Sequence, residues 1–349
     1  MSTTITIIIA LLVFSFLIFI HEFGHFISAR IFKVTVNEFS IGMGPRLVWY
    51  DSKKTGIRYS LAMFPIGGFV SMAGEDDESD DPNSFDKKPA WQRFIITAAG
   101  ASVNIIAGFL AMIILTSVIP IGNTTVAKFV PKEETGYEIS SSESGLMEGD
   151  VITKVDGKSV KIADELSYEI MRRGTEPIDI TVIRDGKEFT IEDVVFPGLT
   201  ESGQSFGSMD FKVFAVEKDF SEVMKFAFRK SALIVRMCWE SIFDLLTGRY
   251  TFAAVSGPVG ISSAIGDAAK AGGSSLLYIT ALISINLGVM NLLPIPALDG
   301  GRLITLLFEM ISRKRIPKKI EGMVNAVGLA ALLLLSVVIM IKDVVQLIF

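Results

Sequence analysis

Four stretches of the chain, residues 4–32, 94–121, 276 to about 298 and 322–341, are apolar over enough length to cross about 30 Å of hydrocarbon as helices. Three of them carry no charged residue, whereas the first holds Glu22 and, near its end, Arg30. Half of the 349 residues are hydrophobic and the mean hydropathy is +0.49, so the chain reads as an integral membrane protein. The net charge of −5 is spread over short clusters, and no basic arm speaks for nucleic acid. A lone cysteine, Cys238, excludes an intrachain disulfide and reads as a small buried apolar residue.

The basic residues set an expected orientation. Residues 302–321 hold Arg302, Arg313, Lys314, Arg315, Lys318 and Lys319 against Glu309 and Glu321. The connection after the first apolar stretch holds Arg46, Lys53, Lys54, Arg58, Lys87, Lys88 and Arg93. By the positive-inside rule both connections are cytoplasmic, and both termini and the large middle segment lie outside. His21 then falls about 24 Å along the helix from Ile5, within the membrane and toward the cytoplasmic leaflet.

The first stretch contains His21-Glu22-Phe23-Gly24-His25, and these are the only two histidines in the chain. On a helix, residues four apart project from nearly the same face, so two imidazoles and a flanking carboxylate meet as a zinc hydrolase requires. Ionisable groups at this depth are costly and are kept mainly where they act or are paired. The plainer alternative, histidines capping a helix at the headgroups, does not account for Glu22. A catalytic zinc ion takes three protein ligands and a water. With no further histidine or usable cysteine, the third ligand must be a carboxylate, and Asp299 is the natural choice. It closes the third apolar stretch at the leaflet already assigned to His21, although an aspartate before Gly300-Gly301 is also an ordinary turn residue.

Residues 34–41, 46–50, 57–64 and 68–72 are short runs rich in β-branched and aromatic residues, broken by Gly42-x-Gly44-Pro45, Asp51-Ser52-Lys53 and Pro65-x-Gly67-Gly68. They read as membrane-associated β-hairpins that either shield the site or offer an edge strand to an extended substrate. Residues 75–81 are acidic without calcium-loop spacing and read as a solvated, mobile loop. The middle segment changes to mixed charge and Gly turns, with strands near 179–184 and 189–196 and a helix near 163–173, an α+β domain. Its Ser144-Gly145-Leu146, Gly149-Asp150-Val151-Ile152 and Val155-Asp156-Gly157 resemble the PDZ signature. That resemblance implies either a peptide groove or a steric plug. Residues 220–246 read as an amphipathic helix lying at the outer membrane surface.

The histidine motif, Gly42-Met43-Gly44-Pro45, the region of Gly100 to Asn104, Ser256-Gly257-Pro258-Val259-Gly260 and the run from Asn291 to Gly301 together resemble the site-2 protease family of intramembrane zinc metalloproteases, of the bacterial RseP type. The resemblance implies Zn2+ on His21, His25 and Asp299, Glu22 as general base, and a substrate-backbone contact at Asn291. It also implies regulated intramembrane proteolysis of single-span substrates, such as anti-sigma factors or remnant signal peptides already trimmed outside the bacterial inner membrane. Relatives with two PDZ domains differ, since this chain has room for one.

The expected fold class is a multi-pass α-helical membrane protein with four transmembrane helices, membrane-associated β-hairpins and an inserted α+β PDZ-like domain. The expected divisions are a first transmembrane helix with the histidine motif (1–33), hairpins and acidic loop (34–93), a second transmembrane helix (94–121) and the PDZ-like domain (122–215). A surface helix and linker (216–273), a third transmembrane helix with the Asp299 motif (274–301), a basic loop (302–321) and a fourth transmembrane helix (322–349) complete them. The expected partners are transmembrane substrates and the lipid bilayer. A zinc transporter and a non-catalytic peptide-binding scaffold remain as alternatives, neither of which needs Glu22.

Overall fold

Uninterrupted apolar sequence without internal proline forms helices in this computed structural model, which describes residues 3–75, 78–131, 139–173, 176–201, 204–249 and 255–348. Among the described residues, four helices are long and apolar enough to cross a membrane: residues 4–31 within α1 (Thr3–Ile31), α2 (Ala90–Val118), the helix Gly273–Asn291, and residues 318–343 within the last helix, Lys318–Ile348. In the most apolar window of that last helix no residue is buried inside the protein. Leu333 and Leu334 are among its exposed side chains, a surface that water would penalise and a bilayer favours. The chain divides into two compact units, one of residues 1–111 and 255–349, the other of residues 112–254.

In the first unit, α1 is followed by two long antiparallel strands, β1 (Val36–Asp51) and β2 (Arg58–Met72). The ladder kinks where Gly42 and Gly44 take φ of 86° and 90°, a region open to glycine at little cost. Residues 38–41 consequently pair with 68–71 on one side and with 58–61 on the other, while 46–51 pair with 58–62. Among the described residues, 68–72 have strand partners on one side only. Ala29, Val34, Val36, Ile57, Met72, Phe85 and Ile96 form a buried cluster that pins the hairpins to α1 and α2. The breaks expected from the glycines and prolines fall where the ladder bends.

The second unit is built on an antiparallel sheet. Its strands are β3 (Gly122–Phe129), β4 (Val151–Val155), β5 (Lys158–Ser159), β6 (Ile178–Arg184), β7 (Lys187–Val194) and, after a separate hairpin of β8 (Gly198–Glu201) with β9 (Gln204–Gly207), β10 (Phe211–Ala215). They lie in the order β10-β3-β4-β6-β7, with β5 beside β4. Helix α3 (Ala163–Arg173) shares the core with the sheet, Leu166 and Ile170 packing with Val126, Ile152, Ile180 and Phe211. Asp150 is fully buried, receiving Arg184 Nε at 2.6 Å and Nη2 at 2.7 Å and the Met147 N–H at 2.9 Å. Helix α4 (Phe220–Leu246) begins with Asp219 capping the Glu222 N–H. Its polar face is turned onto α3 through Arg172–Asp244, Lys230–Asp164 and Arg236–Glu169, while Phe228, Trp239, Phe243 and Leu246 stay exposed.

Three features differ from the sequence expectations. The stretch 216–273 is not simply a surface helix and linker, since Pro258 at the first turn starts α5 (Pro258–Ala271). Residues 274–301 are not one helix, because α6 (Gly273–Asn291) stops at Asn291, and Pro294 and Pro296, which lack an N–H, stand in the irregular turn that follows. The acidic tract is not wholly a free loop, because Glu75 accepts from Arg302 Nη1 at 2.7 Å; Asp76 and Asp77 lie outside the described residues. The chain continues into α7 (Asp299–Ser312) and α8 (Lys318–Ile348).

Candidate metal centre and active site

His21 and His25 lie one turn apart on α1, both facing inward, with side chains 11% and 12% exposed. Their direction depends on close helix packing. A Cβ on Gly24 would meet the Ala99 carbonyl oxygen at 2.6 Å, so only glycine lets α2 approach the motif this closely. Asp299 arrives from the other end of the unit. After α6, the turn through Ala297, whose φ is 72°, makes Asp299 the first residue of α7. Gly300 is required behind it, since a Cβ there would lie 2.0 Å from the Leu293 carbonyl oxygen.

Three donor atoms converge. His21 Nε2 and His25 Nε2 are 3.2 Å apart, and Asp299 Oδ2 lies 3.2 Å from the first and 3.4 Å from the second. The two ring nitrogens lie within hydrogen-bond distance of each other, while the buried Asp299 Oδ2 beside them makes no hydrogen bond of its own. A tetrahedral zinc ion bonded at about 2.0–2.1 Å separates its donors by about 3.3–3.4 Å. The observed triangle fits that ion, and His21, His25 and Asp299 could hold a metal together. The remaining ring nitrogen of His25, Nδ1, donates to the Ile96 carbonyl oxygen at 2.9 Å, which leaves Nε2 with its lone pair.

The donors line a cavity of about 280 Å³ together with Glu22, Asn291, Val70, Glu75 and Arg302. Glu22 shares this space with Val70, on the one-sided strand segment 68–72. Every site residue singled out in the sequence therefore borders one space, reached from α1, β2, α6 and α7. Sequence reasoning did not find Glu75 and Arg302. Arg302 stands three residues after Asp299, donates to Glu75 Oε1 and to its backbone oxygen at 2.7 Å each, and stacks 4.8 Å from the Phe85 ring. Nor did the sequence reading give Asn104, which the structure buries fully, a task of its own, although a polar amide in an apolar span was the available signal.

Residues 9–335 match the description of peptidase family M50. A protein of Clostridium perfringens carried under a zinc metalloprotease name is 37% identical over 341 residues, covering 97% of this chain and 98% of its own. Zinc metalloprotease RasP of Bacillus licheniformis is 27% identical over 429 residues, covering 98% and 99%. A chloroplast protein of Arabidopsis thaliana carried under a membrane metalloprotease name is 32% identical, covering 95% of this chain and 78% of its own. With its long apolar helices and its trio of donors, the chain belongs to peptidase family M50, the site-2 proteases, and is a membrane zinc metalloprotease.

Proposed function

We propose that this protein hydrolyses peptide bonds within the transmembrane segments of single-span substrates, with His21, His25 and Asp299 holding the zinc ion and Glu22 as general base. The observation that carries this reading is the convergence of the three donors from α1 and α7 at 3.2–3.4 Å, with Glu22 in the same cavity. Bound zinc supplies an acidified water and a Lewis acid toward the scissile carbonyl. Glu22 takes the proton of that water and returns it to the leaving amine. A substrate helix hides its carbonyls in its own hydrogen bonds, so it must unwind before attack. Residues 68–72, paired as a strand on one side only among the described residues, contribute Val70 and Met72 to the cavity wall, which suits an added extended strand whose backbone Asn291, lining the same space, would hold.

The second unit is read as a PDZ-like domain on the extracytoplasmic side, as are both termini, with the site toward the cytoplasmic leaflet of the bacterial inner membrane. Its glycine turns, the helix Ala163–Arg173 and the edge position of β10 support that reading. A cavity of about 400 Å³ lined by Ala163, Ser167, Met209 and Val213 lies between that helix and β10, where a peptide could add as a strand. It would act as a size filter or reader for substrates trimmed beforehand in regulated intramembrane proteolysis, such as anti-sigma factors or remnant signal peptides. Deleting residues 125–213 should then let untrimmed substrates be cut; if they stay intact while trimmed ones are cleaved, the filter is excluded.

The central test is Glu22→Gln in the detergent-solubilised protein with a synthetic transmembrane peptide. Zinc content should stay at the wild-type level while cleavage falls by about 10²–10⁴-fold. A metal transporter would keep moving zinc, and undiminished cleavage would remove Glu22 from the reaction.

A further inference from the structure

The two histidines are supported differently behind the site. His25 Nδ1 faces a carbonyl, Ile96 O, at 2.9 Å, an acceptor that can take only an N–H. His21 Nδ1 faces the side-chain amide of Asn104, 3.3 Å from the atom placed as Nδ2. Asn104 is fully buried on α2, and the atom placed as its Oδ1 has no hydrogen-bond partner.

With Nδ2 toward the ring, Asn104 would donate to Nδ1, and the neutral imidazole would carry its hydrogen on Nε2. That hydrogen would point into the space between His25 Nε2 and Asp299 Oδ2, 3.2 Å from each, where a lone pair is needed for a metal. Oxygen and nitrogen of an amide are nearly equal in size, and a half-turn exchanges them without moving the side chain. Turned, Oδ1 accepts from Nδ1–H, and His21 presents Nε2 as His25 already does.

We propose that Asn104 is a positioning residue. Its amide oxygen accepts the Nδ1 hydrogen of His21 and so keeps the Nε2 lone pair turned to the metal. This rests on the zinc reading above and adds to it a residue that never touches the ion or the substrate. Acceptors behind ligating histidines of this kind contribute about 10–100-fold to metal affinity. The backbone of Asn104 is held separately, by Ser284 Oγ on its carbonyl at 2.7 Å, so the side chain can be changed without removing that helix contact.

The experiment compares zinc affinity of the full chain in detergent, by competition with a chelating dye, for wild type, Asn104→Leu, Asn104→Asp and His25→Ala. Leucine keeps the shape and offers no acceptor; it should bind zinc about 10–100-fold more weakly. Aspartate offers only acceptors; it should hold zinc within about threefold of wild type and rescue the cleavage lost with leucine. If aspartate is as weak as leucine, the amide donates and the proposal is overturned; if leucine binds as wild type does, the amide is irrelevant and it is overturned equally. Where the leucine variant is misfolded, the aspartate variant is read against wild type: zinc held within about threefold supports the acceptor, and a loss of about 10–100-fold overturns it. A wild type that binds no zinc, or a His25→Ala that keeps it, overturns the metal assignment itself.

Discussion

The Cα of Gly100 lies so near the His25 ring that a methyl group there would sit 2.3 Å from Nε2, the donor atom itself. Gly100 thus keeps open the space into which the imidazole turns, at a point where α1 and α2 are in contact. Replacing it by alanine should push His25 away from His21 and Asp299. Elemental analysis of purified Gly100→Ala should show zinc lost, with cleavage reduced by about 10²-fold or more, as a displacement near 1 Å does elsewhere. Full zinc and full activity would show that the ring has another place to go.

Arg302 ties the end of the hairpin region to α7 one turn beyond Asp299, through its fork on Glu75 and its stacking on Phe85. Such a fork is planar and bidentate, and lysine cannot reproduce it. Arg302→Met and Glu75→Gln should each lower kcat/KM, by about tenfold, because Asp299 is held through this contact. The double variant should be little worse than the weaker single one, with a coupling of about 1–2 kcal/mol in a double-mutant cycle. Strict additivity would separate the two residues.

Glu38 sits in β1 with its side chain buried, receiving Arg46 Nε at 2.8 Å and Nη2 at 2.6 Å and the Ser60 hydroxyl at 2.6 Å. The Arg46 hydrogen bonds, helped by Ser60 and opposed by burial, hold its carboxyl below the usual carboxylate range. A carboxylate with a depressed folded value stabilises fully above its unfolded value, about 4.3, and loses that contribution as pH falls through the folded one. Glu38→Gln should therefore lower the thermal midpoint at pH 7, by about 1.5–3 kcal/mol of stability. The gap to wild type should close as pH drops below about 4; a gap unchanged with pH would mean the pair contributes shape and no charge.

Much of this architecture was readable because the signals were strong and local. Long charge-free runs leave a chain few options besides helices, and Gly42, Gly44 and Pro45 could hardly sit inside an unkinked strand. His21, Glu22 and His25 were legible because their spacing is a property of one helix. Asp299 could be placed by elimination, since only a carboxylate could supply the third donor. The failures were of another kind. Hydropathy alone ran residues 276–298 together past Asn291, where α6 ends; the break beside Asp299 was legible only in Pro294 and Pro296, which cannot continue a helix. Glu75 looked solvated because its partner, Arg302, lies 227 residues away in sequence. Helix α5 was hidden by Gly257 and Pro258, which cap and begin the helix where they were read only as a break.

Cys238 is the sole thiol of the chain, buried on α4, where burial pushes its pKa up to about 11. At neutral pH almost none of it is thiolate, the form that reacts with maleimides and disulfides. The wild-type sequence is thus a near-silent background for labelling, and a fluorophore or spin probe attached to a cysteine introduced on an exposed position, such as Leu47 or Phe228, would report on that position alone.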